Sequence, residues 1–61
     1  MRLKYKGYML AADRSFEKEG QVIACIFSLP TYSTVYEEWM TVSPSTAIKQ
    51  LKQHVNKLIT A

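Results

Sequence analysis

Sixty-one residues make about half a typical domain, which predicts one compact unit spanning 1–61 with no second catalytic lobe. With 48% apolar and 21% charged residues the composition excludes a disordered polyampholyte, and one cysteine with one histidine excludes an internal disulfide and a four-ligand zinc site. The net charge of +3 permits attraction to nucleic acid, anionic lipid or an acidic protein face without requiring any of them.

From Arg2 to Ala12 the residues alternate, with Leu3, Tyr5, Gly7, Met9 and Ala11 on one side and Arg2, Lys4, Lys6, Tyr8 and Leu10 on the other. This pattern predicts a first strand. The polar stretch Asp13 to Gly20 reads as a long hairpin connection whose final glycine supplies a positive φ, with a short helical turn as the alternative. Gln21 to Leu29 is rich in β-branched residues and apolar at both parities, the mark of a strand covered on both faces. Pro30 with Thr31, Tyr32 and Ser33 makes a turn, and Thr34 to Val42, dense in strand formers, is the third strand.

The carboxy-terminal third changes period. Ser43-Pro44-Ser45 is a helix-start signal, with Ser43 as N-cap and Pro44 at the first helical position, or Ser45 as the cap one step later. At 3.6 residues per turn, Ala47, Ile48, Leu51, Val55, Leu58 and Ile59 fall within an arc of roughly 120°. The expected fold is therefore α+β, a three-stranded antiparallel β-meander with one C-terminal amphipathic helix packed on one face.

One helix cannot shelter both faces of such a sheet. The second strand sends Val22, Ala24 and Ile26 one way and Ile23, Cys25 and Phe27 the other, and the third strand divides in the same manner. A sheet face with Ile23, Phe27, Val35 and Trp39 left bare, and Tyr8 at its margin, is an apolar patch of the kind that marks an interface. A symmetric dimer that stacks these sheets or continues them edge to edge is the simplest cover. The alternative is that the long loop folds back and Phe16 plugs the patch.

Convergent catalytic groups are scarce. There is no nucleophile elbow or glycine-rich phosphate loop, and the adjacent Glu37 and Glu38 point to opposite faces of a strand. His54 reads as a boundary histidine of the helix and Cys25 as a small buried hydrophobe. No catalytic residue, cofactor, metal or small-molecule substrate is assigned, and the chain is expected to be no enzyme. A nucleic-acid reading would use Lys4 and Lys6, interleaved with Tyr5 and Tyr8, together with Lys49, Lys52 and Lys57 of the helix. Against it stands an ordinary edge strand protected from aggregation by lysines, with a solvated basic helix face.

The segment Ser28-Leu29-Pro30, followed by a strand and then Thr41 to Ile48, resembles the small sheet-plus-helix domain of HicB-type antitoxins, in which a proline-containing turn precedes a Thr-capped helix. The element order is similar to the last part of double-stranded-RNA-binding domains. Each likeness covers part of the chain, with Thr31 where a glycine is expected and no acidic pair or lysine cluster at the helix start, so neither defines a family.

The expected function is a small non-enzymatic interaction module acting by protein–protein association, with itself as a homodimer or with a host or regulatory partner. Its size suits an accessory protein of a phage or mobile element. Met1 reads as a native start, and with the single unpaired cysteine, no signal-peptide core and no bilayer-length apolar run the expected setting is the cytoplasm, with no membrane partner expected.

Overall fold

The computed structural model, which describes residues 1–60, places four strands ahead of one helix: β1 (Arg2–Tyr5), β2 (Tyr8–Arg14), β3 (Val22–Ser28), β4 (Ser33–Met40) and α1 (Pro44–Thr60). The strands form one antiparallel sheet in the order β1-β2-β3-β4. The α+β class and the carboxy-terminal helix agree with the sequence, but the strand count is four and not three. The run Arg2 to Ala12 is broken by a two-residue turn at Lys6 and Gly7, with φ of 49° and 84°, the backbone signs that a tight hairpin loop requires.

That turn also exchanges the parity of the side chains. Leu3 pairs with Leu10 and Tyr5 with Tyr8, so odd residues of β1 share a face with even residues of β2. Tyr8 shares the face of Leu10 and Ala12 by alternation within β2, and the register with β3 turns that face to the helix, so Tyr8 packs against the core and its expected place at the margin of the uncovered face is corrected.

The other connections follow their local chemistry. Between β2 and β3, Ser15 Oγ accepts the backbone N–H groups of Glu17 (3.1 Å) and Lys18 (2.9 Å), and Gly20 at φ 79° returns the chain to the sheet. Between β3 and β4, the Leu29-Pro30 peptide is cis and the Tyr32 N–H donates to the Ser28 carbonyl at 2.7 Å. At the start of α1, Ser43 Oγ accepts the Thr46 N–H at 3.3 Å, and the Ala47 N–H reaches the Ser43 carbonyl at 2.9 Å. Ser43 is the cap and Pro44 the first helical residue, where its missing N–H removes nothing from the helix.

The core lies between α1 and the face of β2 and β3 that carries Leu10, Ala12, Val22, Ala24 and Ile26, closed by Met40 from β4. From the helix come Ala47, Ile48, Leu51 and Val55. Leu58 and Ile59 lie on the same arc but remain 41% and 48% exposed, because the last turn of α1 runs past the residues that close the core. Ala12, Ala24 and Ala47 have no exposed surface, and their small side chains let the helix approach the strands closely.

Candidate interaction surface

The sheet face away from the helix is built by alternation alone. β2 presents Met9, Ala11 and Asp13; β3 presents Ile23, Cys25 and Phe27; β4 presents Glu37 and Trp39; β1 presents Arg2 and Lys4. Val35 is the residue that the pairing of β4 skips, since Ile26 faces Tyr36 while Phe27 faces Thr34. It is 42% exposed beside this face, and Trp39 is 38% exposed within it. Ile23, Cys25 and Phe27 are half-buried by their neighbours in the sheet and by no second layer. Ile23, Phe27 and Trp39 are thus brought to one side of the molecule, and Val35 stands exposed at the irregularity in β4.

Beside Phe27 the face dips into an open hollow of about 340 Å³ lined by Arg2, Met9, Ala11, Phe27 and Tyr32. Tyr32 reaches it from the β3–β4 turn, where the residue holds φ at 58°. Phe16 does not plug the patch, because its side chain is fully exposed in the β2–β3 connection. Lys18 from that connection comes over Trp39 instead, its Nζ 4.5 Å from the ring centroid, so the tryptophan is partly screened by a cation.

Cys25 sits at the centre of the face. Burial pushes its thiol up from the ordinary value of about 9, and the carboxylates of Glu37 and Asp13 push it the same way. The thiol stays protonated at neutral pH, which disfavours a nucleophilic role. The folded chain therefore holds this proton more tightly than the unfolded chain. Stability from this group is complete below the ordinary thiol value and falls as pH rises through it. Iodoacetamide should label Cys25 at pH 8 several-fold more slowly in the native protein than in urea, and the urea midpoint should decline above about pH 9. Equal labelling rates would show an unperturbed thiol.

The five lysines of the nucleic-acid reading do not gather on one surface. Lys4 lies on the open face, whereas Lys6 in the hairpin turn reaches round to the helix and donates to Asn56 Oδ1 at 2.8 Å. Lys52 joins it near Tyr5, with the two Nζ atoms 5.6 and 5.1 Å from the ring centroid. Lys57 lines a separate hollow with Tyr36, Glu38 and His54, and Lys49 is exposed on the helix. In that hollow the His54 ring stacks on Tyr36 with centroids 4.1 Å apart. The Tyr36 hydroxyl donates to the Glu38 carboxylate, which pushes the hydroxyl above its ordinary value. Glu37 and Glu38 do lie on opposite faces, as strand alternation requires.

Arg2, Met9 and Tyr32 belong to this surface and were not legible in the sequence. A Lys-Gly pair between apolar alternations was the available signal for the turn that puts Arg2 there, but it lacks the Asn or Asp that usually marks such a loop. Among the described residues no helix is long and apolar enough to cross a membrane. No protein-family model matches the chain, and no curated protein or solved structure matches it.

Proposed function

We propose that this protein is a small protein–protein interaction module that works by binding and not by catalysis, using the open face of its sheet and associating first with itself. The observation that carries the reading is that β3 is apolar on both faces while the single helix covers one. Ile23, Phe27 and Trp39, with Met9 beside them, form an aromatic and aliphatic cluster of the type that anchors interfaces. A chain this short buries only roughly 60% of its unfolded surface, so covering that cluster adds stability that the isolated fold lacks. The unpaired Cys25 suits a reducing, cytoplasmic setting.

Sedimentation velocity over a micromolar concentration series tests the proposal. The wild type is expected to move from monomer to dimer, Trp39→Ala to need about tenfold more protein, and Phe27→Asp to stay monomeric with an unchanged far-ultraviolet circular dichroism spectrum. A fully stable wild type that remains monomeric throughout would overturn self-association.

A further inference from the structure

The open face carries a charge pattern that specifies how a second copy would lie on it. The strand registers align Arg2 with Ala11, Ala11 with Cys25, and Cys25 with Glu37, so these residues form a single row across all the strands. The row is basic at the β1 edge, acidic at the β4 edge, and occupied by small side chains between. Within one chain its charged ends are separated by three strand spacings, roughly 14 Å, too far to pair.

We infer that two copies stack face to face about a two-fold axis parallel to the strands, with Arg2 of each over Glu37 of the other. This rests on the self-association proposed above and fixes its geometry. Such an axis exchanges left and right without reversing the strands, so β1 lies over β4 of the second copy and β2 over β3. The row then meets itself reversed: Arg2 over Glu37, Ala11 over Cys25. In the adjacent row, Lys4, Met9, Phe27 and Thr34, the same operation sets Met9 over Phe27 and Lys4 over the neutral Thr34. In the row on the other side, Trp39 comes over the end of β1, and Asp13 is already held by the Met1 amine at 2.9 Å. A two-fold axis lying across the strands instead sets Arg2 over Arg2 and Glu37 over Glu37, which repel. Charge therefore selects the first arrangement, an aligned sandwich with sheets about 10 Å apart.

The size of the face sets the strength. Strands of four, seven, seven and eight residues about 4.8 Å apart give a footprint on the order of 400 Å² per copy, below the roughly 800 Å² of a standard interface. The dimer is consequently weak, in the range where one pair of charges and its symmetry mate can be read in a dissociation constant. The row also predicts that the two Cys25 residues do not form a disulfide, since each faces Ala11 across the interlayer gap with α-carbons more than about 7 Å from one another.

The test is a charge exchange read by sedimentation velocity at low salt. Arg2→Glu alone and Glu37→Arg alone should each weaken the dimer about tenfold, because both contacts become repulsive. An equimolar mixture of the two variants should form a heterodimer close to wild-type strength, since every contact again joins opposite charges, and the double variant should recover in the same way. A mixture no tighter than its components, beside a wild type that dimerises and a Phe27→Asp variant that does not, would overturn this arrangement while leaving association through the open face intact. A folded wild type that never dimerises would overturn both.

Discussion

Ile26→Asp is expected to leave the chain unfolded at neutral pH, whereas Phe27→Asp, one residue later on the same strand, leaves it folded. Ile26 has no exposed surface and packs between the sheet and α1. Replacing it removes about 2–3 kcal/mol of apolar burial and places a carboxylate where neither water nor a partner reaches it, at a further cost of several kcal/mol. A domain of this size has a total stability of roughly 3–9 kcal/mol. The deficit therefore exceeds what the fold holds. Phe27 points to the open face, where a carboxylate meets solvent beside Arg2 and loses only partial packing. Circular dichroism at 222 nm and amide dispersion in a proton–nitrogen spectrum distinguish the two, and an unfolded Phe27→Asp would contradict the assignment of that face as uncovered.

Leu51→Ala is expected to cost about 3 kcal/mol, enough to move the chain close to its unfolding midpoint at room temperature. Leu51 has no exposed surface and lies among the buried residues of α1 between Ile48 and Val55. The core it shares contains the small Ala12 and Ala24, which cannot extend into the space that the leucine vacates. The cavity therefore persists, and that persistence places the loss above the transfer energy of the side chain alone. Urea titration would show it as a lower midpoint with an unchanged slope. Leu58→Ala, with the side chain 41% exposed, should cost less than half as much.

The parts of the fold that could be read from sequence are those whose signals are local. Ser43 and Pro44 announced the helix, and the apolar residues at both parities of β3 announced a strand with two faces to cover. Ile23, Phe27 and Trp39 were legible for the same reason, because alternation within a strand needs only the strand's own residues. What was hidden depended on the turn at Lys6 and Gly7. Without it Arg2 to Ala12 reads as one continuous alternation, which sets Arg2 and Lys4 on the face of Leu10 instead of the face of Met9 and Ala11. Tyr8 shares the face of Leu10 in either case, and which face of β2 the helix covers is set by the pairing with β3. The same turn creates β1 and brings Arg2 into a row with Glu37, a relation carried entirely by strand register. Phe16, the alternative cover for the face, stays exposed because a loop's hydrophobe is buried only if the loop folds back, and the Ser15 hydroxyl holds this one in a tight local turn.

The skipped residue in β4 bears on how the protein behaves when crowded. An outermost strand of eight residues is a natural template for fibril growth, since its unpaired amides and carbonyls invite another chain to add on. Here Val35, the third residue of the strand, interrupts the ladder, so an incoming strand meets a kinked border. The opposite border is four residues long and carries Arg2 and Lys4. Edge-to-edge growth is thereby opposed by the irregularity in β4 and the shortness of β1 and not by charge, since a basic border and an acidic one attract.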